Sequence, residues 1–226
     1  MNDTTLLQRA KTAAVRDKLQ EAYGAPTWRP DLDPVSQLVS TILSQNTNDV
    51  NRDVAYEQLR ARMPTWEQVR DADVEQVIEA IRPAGLANQK GPRIQGALRF
   101  LTAERGELDL NFLADWPVEQ AKDWLSSIKG VGPKTAAIVL LFSLGRPAFP
   151  VDTHIHRVTR RLGLIGPQVS REKAHGELER LVPPDDYFSF HLNVIRHGRE
   201  VCSSRKPRCP ACVLRDLCDL YSSQQP

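Results

Sequence analysis

The chain has 226 residues, 41% of them hydrophobic, so it is long enough to bury one core of ordinary size or two small ones. It contains no apolar run near the roughly 18 residues that a membrane span needs, and its N-terminal segment lacks the apolar centre of a signal peptide, which predicts an intracellular protein with no membrane partner. The net charge of +2 is too small to indicate a class of partner by itself.

Helical periodicity dominates the chain. Apolar residues recur three and four positions apart, as in residues 35–43 and 74–81, and no stretch alternates convincingly as a strand. Proline, which removes little hydrogen bonding in the first turn of a helix, stands near the start of four such stretches: Pro34, Pro64, Pro117 and Pro133. The sequence therefore predicts an all-α protein of about ten helices joined by short loops.

Two turn-rich stretches are candidate hinges between domains. They are "YGAPTWRPDLD" at residues 23–33 and "LGRPAFPVD" at residues 144–152. The helices between them are predicted to form one domain, and the chain from Val151 onward a second. Periodicity alone does not assign residues 1 to about 28 to either domain.

The stretch "IKGVGPKTA", residues 128–136, places two glycines between predicted helices. Gly130, Val131 and Gly132 are compatible with an ordinary helix turn, and Lys134 with a solvated surface residue. A glycine hairpin also aims successive backbone N–H groups at an anion, as helix-hairpin-helix motifs do on a DNA phosphate. A cation in the first turn of a helix is electrostatically disfavoured, so Lys134 gains little from that position as a structural residue.

Asp152, eighteen residues after Lys134, lies in the stretch "VDTHIHRV". Asp152 precedes an apolar-periodic run and is predicted to cap the N-terminus of a helix. His154 and His156 are equally compatible with ordinary positions on the face of that helix. A carboxylate within reach of the Lys134 amine would instead form a nucleophile with a charged partner.

All four cysteines lie near the C-terminus, with six, two and five residues between them: Cys202, Cys209, Cys212 and Cys218. Disulfides are disfavoured in an intracellular chain. Spacing alone leaves structural zinc and a [4Fe–4S] cluster both open, since four thiolates suit either. The second half of the chain is also the basic half, with 16 Lys and Arg against 12 Asp and Glu after residue 109, and the bias is greatest around Arg205, Lys206 and Arg208.

This chain resembles the endonuclease III family of DNA glycosylases in two features. One is the chain order of hairpin, Lys134 and Asp152, and the other is the C-x6-C-x2-C-x5-C spacing preceded by "HGR". The resemblance extends over nearly the whole chain. It implies two helical domains with the active site in the cleft between them: a six-helix domain with the helix-hairpin-helix at 30–146, and an iron–sulfur domain formed by 1–29 and 147–226.

The resemblance also implies a chemistry. Lys134 would attack C1′ of a damaged nucleotide, Asp152 would activate it and stabilise positive charge on the sugar, and β-elimination would cut the strand. The four cysteines would hold a [4Fe–4S] cluster that is chiefly structural and presents Arg205, Lys206 and Arg208 to DNA phosphates.

Several other residues would contact DNA by the same resemblance. Gly130, Val131 and Gly132 would bind a phosphate, Leu86 would wedge into the duplex, and Gln45 and Asn46 would fill the space left by the flipped base; His154 is a further contact. Many family members have Gln where this chain has Asn46, and proline is common at Lys129. For Leu86 the alternative is a loop leucine buried in the core.

The predicted function is a bifunctional glycosylase and AP lyase that removes oxidised pyrimidines from damaged double-stranded DNA, as a monomer and without a small-molecule cosubstrate. The alternatives are a monofunctional adenine or mismatch-thymine glycosylase, a noncatalytic helix-hairpin-helix DNA-binding protein, and a zinc-binding interaction domain. Lys134 argues against the first, as does the end of the chain soon after Cys218, because adenine-specific relatives tend to carry a further recognition domain. Lys134 and Asp152 together argue against the second.

Overall fold

The computed structural model describes residues 3–224, and the outermost residues of the predicted iron–sulfur domain, 1–2 and 225–226, lie outside them. The described chain is all-α, as predicted, with no β-strand. Its α-helices are, in chain order, α1 (Asp3–Tyr23), α2 (Pro34–Ser44), α3 (Asp49–Arg62), α4 (Trp66–Asp71), α5 (Val74–Ala80), α6 (Ala87–Arg105), α7 (Val118–Ser127), α8 (Pro133–Ile138), α9 (Thr153–Leu162), α10 (Arg171–Leu181), α11 (Tyr187–Glu200) and α12 (Asp219–Ser222). None of the helices within residues 3–224 is long and apolar enough to cross a bilayer.

The chain separates into two compact units, one of residues 30–146 and one of the described parts of 1–29 and 147–226. In the first unit, α6 packs against α2, α4 and α5, and α8 packs against α2 and α7. Its core consists of the apolar positions that the helical periodicity marks, among them Leu38, Ile42, Leu59, Val77 and Ile94, all fully buried. These helices carry the hairpin, Lys134 and the loops with Gln45, Asn46 and Leu86.

Residues 30–146, all of which are described, contain seven α-helices where the family resemblance implies six. Between Trp66 and Ala80, Ala72 takes an extended conformation and the Asp73 side chain accepts the amide hydrogen of Glu75. Because that cap starts a new helix, the stretch divides into α4 and α5 rather than continuing as one.

In the second unit, α11 packs against α1 and α9, with Phe149, Ile155, Phe190 and Val194 in the core. Polar contacts join α1 to segments about 170 residues away: Arg16 Nη1 lies 2.7 Å from Asp186 Oδ2, and Asn193 Nδ2 donates to the Gly24 carbonyl at 2.9 Å. The N-terminal helix therefore folds with the C-terminal helices.

Candidate functional site

The glycine hairpin links α7 to α8. Its apolar residues Ile128 and Val131 are buried, whereas Lys129 and Gly130 are exposed. Gly130 has a φ of +91°, and a Cβ added there would lie 3.1 Å from Arg93 Cδ, so both the backbone and the close packing require glycine. Gly132 has an extended conformation that any residue adopts, and a Cβ there would meet nothing within 4 Å. The hairpin is thus anchored on its apolar side and open around Gly132.

Lys134 is the second residue of α8, with Pro133 first and Gly132 at the N-cap. Its side chain is half-buried. Within residues 3–224 the structure gives its amine no hydrogen bond and no ion pair. An unpaired amine beside the free amides of a helix N-terminus is available to an incoming anionic substrate.

Asp152 is the N-cap of α9, which confirms the cap prediction. Its Oδ1 accepts the amide hydrogen of Ile155 at 2.7 Å, while the side chain stays half-exposed. Oδ2 has no recorded partner among the described residues. The cap therefore fixes the carboxylate and leaves one oxygen open.

The two residues that lead toward Asp152 are held by side chains from α10 and α11. Glu179 Oε1 accepts the amide of Phe149 at 3.0 Å, His175 Nδ1 donates to the Phe149 carbonyl at 2.8 Å, and His191 Nδ1 donates to the Pro150 carbonyl at 3.0 Å. Asp152 consequently extends from a backbone segment whose position is set by three hydrogen bonds.

His154, a predicted DNA contact, lies half-buried on α9. Its Nδ1 accepts from Arg157 Nη2 at 3.1 Å, and a Cβ at Gly198 would approach its ring to the same distance. Burial lowers the pKa of His154, so the ring is neutral at physiological pH. The neutral ring can offer DNA a hydrogen bond.

The loops around residues 46 and 86 share one backbone feature. Asn46 (φ +54°) and Leu86 (φ +50°) are the two non-glycine residues with positive φ within residues 3–224. A left-handed leucine costs on the order of 1–2 kcal/mol. Leu86 is 48% exposed, so the alternative of a leucine buried in the core is wrong.

The Gln45 side chain makes hydrogen bonds to two other residues of the protein. Its Nε2 donates to the Gly130 carbonyl and its Oε1 accepts from Arg93 Nη1, each at 3.2 Å. The side chain thereby joins the end of α2 to the hairpin, and Asn46 is the more exposed of the two neighbouring residues.

All four cysteines line one apolar pocket in the second unit. Arg161 binds two of them, through Nη1 to Cys202 Sγ and through its carbonyl oxygen to Cys218 Sγ, both at 3.3 Å. Burial raises the pKa of Cys212 to about 11 and also raises that of Cys218. Among the described His, Cys, Asp and Glu side chains, no three are close enough together to hold a single metal ion.

A buried histidine supports this pocket. His197 Nε2 lies 3.4 Å from Cys212 Sγ, and Nδ1 lies 3.0 Å from the Tyr23 hydroxyl. Burial lowers the pKa of His197 to about 4, so the ring is neutral. A neutral ring that accepts the Tyr23 hydrogen at Nδ1 donates its own hydrogen from Nε2 to the sulfur.

The basic loop, residues 203–208, is shaped by Arg161, whose Nη1 and Nη2 donate to the carbonyls of Ser203 and Ser204 at 2.8 Å. Arg205 and Lys206 are exposed. Arg208 is exposed too, but its Nη2 donates to the Glu200 carbonyl. Arg205 and Lys206 are therefore the freer cations of the three.

The sequence matches the HhH-GPD superfamily of base excision DNA repair proteins over residues 39–184. The chain belongs to this superfamily. It is 37% identical over 186 residues to endonuclease III of Sulfolobus acidocaldarius, covering 81% of each chain. It is 35% identical over 175 residues to Protein ROS1C of Oryza sativa subsp. japonica, covering 70% of this chain but 9% of that longer protein.

The fold of this chain is also similar to solved structures of endonuclease III. A non-covalent complex of endonuclease III with DNA aligns with a TM-score of 0.82 at 25% identity, over 96% of this chain and 97% of that one. A trapped covalent intermediate of endonuclease III with DNA aligns with a TM-score of 0.81 at 25% identity, over 96% and 98%. The resemblance to the endonuclease III family is confirmed, and the chain is a DNA glycosylase of base excision repair.

Sequence reasoning missed two residues of this HhH-GPD protein that contact the candidate DNA-binding loops. Lys90 and Arg93, one turn apart on α6, bond to groups at residues 43–45 and 84. A lysine and an arginine on a long helix are usually solvated, and nothing in the local sequence distinguishes these two. The contacts of Lys90, which is 1% exposed, become visible only in the folded structure.

Proposed function

We propose that this chain is a bifunctional DNA glycosylase and AP lyase that excises oxidised pyrimidines from duplex DNA and cuts 3′ to the abasic site. The observation that carries the proposal is the half-buried, unpaired amine of Lys134 in the first turn after a glycine hairpin. A monofunctional glycosylase needs no amine there, because it uses water as the nucleophile.

The proposed reaction starts when the neutral Lys134 amine attacks C1′. The N-glycosidic bond breaks, the base leaves with that bond's electron pair, and the amine loses a proton. The C1′–O4′ bond then breaks and O4′ takes up the proton that the amine lost, which opens the sugar to a protonated imine, a Schiff base. Loss of a proton from C2′ expels the 3′ phosphate, and water releases Lys134 from the unsaturated aldehyde.

Asp152 carries the electrostatic part of this proposal. Its cap bond to Ile155 keeps the carboxylate oriented, and the open Oδ2 would stabilise positive charge on the sugar. Because the preceding backbone is held by His175, His191 and Glu179, little reorganisation accompanies the reaction.

We infer further that the target base leaves the stack, since the sugar of a stacked nucleotide is not accessible. Leu86 is exposed, apolar and held in a left-handed conformation, which suits a side chain that enters the gap. Asn46 would fill the remaining space, while Gln45 holds its loop to the hairpin. Gly130, Val131 and Gly132 would bind the neighbouring phosphate through backbone amides.

We also propose a [4Fe–4S] cluster bound by Cys202, Cys209, Cys212 and Cys218. Four thiols around one apolar pocket fit this group, and the neutral His197 adds a hydrogen bond to one sulfur. When bound, the cluster is structural and fixes the adjacent basic loop. Protein purified without added metal should be yellow-brown with broad visible absorbance; a colourless, zinc-loaded protein would contradict the assignment.

The function is tested on labelled duplexes that hold thymine glycol opposite adenine, thymine opposite guanine, or adenine opposite 8-oxoguanine. We expect thymine glycol DNA to be cut without alkali and trapped covalently by borohydride. Release of mismatched thymine or adenine, with strand breaks only after hot alkali, would favour a monofunctional enzyme. Binding with neither release nor cutting would favour a noncatalytic DNA-binding protein.

A glycosylase of base excision repair acts on the cell's own DNA, so we place this protein inside the cell.

Removing the charges of Arg205 and Lys206 together should weaken binding by a similar factor for all sequences. Each lost phosphate contact reduces the slope of log K against log salt by about 0.9. We therefore expect the double alanine variant to bind with a slope lower by roughly 2. The matched control removes two exposed cations from α10, Arg171 and Lys173, and should leave the slope unchanged. Equal salt-dependence slopes for the two double variants would show that the basic loop does not contact DNA phosphates.

A further inference from the structure

Lys90 is a fully buried lysine, 1% exposed, with two main-chain partners. Its Nζ donates to the Leu43 carbonyl at 2.7 Å and to the Ala84 carbonyl at 2.8 Å. Burial, and then the charge of Arg93, lower its pKa. A buried amine is expensive compared with an apolar side chain of the same length, so packing alone does not explain its presence.

The two carbonyls lie at the bases of two different surface loops. Leu43 stands three residues before Asn46, at the end of α2, and Ala84 stands two residues before Leu86, at the end of a short 3-10 helix. Asn46 and Leu86 are the left-handed residues described above. One amino group therefore ties together the backbone segments that lead into both left-handed residues.

Arg93 continues the connection one turn further along α6. It donates to Gln45 Oε1, and Gln45 Nε2 donates to the Gly130 carbonyl, each at 3.2 Å. The start of α6 thus contacts the Asn46 loop, the Leu86 loop and the hairpin. Strained backbone persists only where the surroundings hold it, and these polar contacts supply that restraint.

We propose that Lys90 is a positioning residue for base extrusion: by bridging the carbonyls of Leu43 and Ala84, it holds Asn46 and Leu86 at a fixed separation, so that both side chains enter the duplex at one lesion. This inference rests on the proposed function, because it assumes that the two loops act on DNA. It assigns Lys90 no contact with the reacting atoms.

The main variant is Lys90→Met, which keeps the length and removes both hydrogen bonds. We expect its single-turnover excision of thymine glycol from duplex DNA to fall about 10-fold or more, the size of one or two lost positioning hydrogen bonds. The unstacking signal of a 2-aminopurine next to the lesion should fall in parallel. Borohydride trapping on an abasic site inside an unpaired bubble, where little extrusion is needed, should remain close to wild type.

The deciding measurement is a double-mutant cycle with Leu86→Ala. If Lys90 acts by placing Leu86, the double variant excises no more slowly than the slower single variant. Additive losses, or an equal loss on duplex and bubble, would show a merely structural role and overturn the inference. Lys90→Gln, which retains a donor for one carbonyl, should fall between wild type and Lys90→Met and serves if the methionine variant folds poorly.

Failure of the underlying function gives a different result. Wild-type protein that neither excises thymine glycol nor unstacks the adjacent 2-aminopurine would contradict the proposed function, and the Lys90 inference with it. Active wild-type protein with an additive cycle would contradict the Lys90 inference alone.

Discussion

Lys134→Ala should abolish covalent trapping of the protein on abasic DNA and lower strand cutting by on the order of 10⁴-fold, because it removes the nucleophile that forms the Schiff base. The fold should be unaffected. Alanine is a good helix former, and the Lys134 amine has no recorded partner within residues 3–224. The measurement is borohydride trapping followed by gel electrophoresis, with the melting temperature of each variant recorded.

Lys129→Ala is the matched control, since it removes the same charge from the same hairpin at an exposed position five residues earlier. It should lower DNA affinity only modestly and leave trapping intact at saturating protein. If Lys134→Ala is trapped as efficiently as wild type, the nucleophile is another amine. If Lys129→Ala alone loses trapping, the roles of the two lysines are reversed.

Asp152→Asn should lower base excision by about 10²–10⁴-fold, the range for losing a positioned acid–base group. The same substitution should leave stability almost unchanged, because asparagine caps a helix as well as aspartate and can accept the Ile155 amide hydrogen. Excision rate and free energy of unfolding are the two measurements. If Asp152 is catalytic, the asparagine variant loses excision rate but keeps its free energy of unfolding. If Asp152 is only a helix cap, the variant keeps both.

Asp152→Ala completes this comparison. It removes the cap as well as the charge, so it should lose about 1 kcal/mol of stability and show the same low excision rate as Asp152→Asn. An asparagine variant with wild-type excision, beside a slow alanine variant, would mean that Asp152 serves only to start α9.

Local sequence was enough to predict the features that local physics controls. Pro34 and Pro133 begin helices, and Asp152 caps one, because these residues satisfy or remove the free amides of a first turn. The apolar period of residues 35–43 predicted a buried face, and Val35, Leu38, Val39, Ile42 and Leu43 are all buried.

The family resemblance supplied the candidate site, but contacts distant in the chain supply its support. Lys90 bonds to a carbonyl 47 residues away, and His191 to one 41 residues away. A main-chain carbonyl is present at every position, so no residue type at either end marks such a bond in advance. These supporting residues become visible only when burial and partner atoms are known.

The sequence by itself determined the all-α class, the helix starts, the hairpin with Lys134, the cap at Asp152 and the close spacing of four cysteines, because each depends on neighbouring residues and on short-range backbone physics. Tertiary structure alone decided that α1 packs with α11, that Leu86 is exposed, and that Lys90 joins two loops. An amphipathic helix can bury its apolar face against many surfaces, and a loop leucine can point inward or outward. The choice is made by packing and hydrogen bonds between residues far apart in the chain.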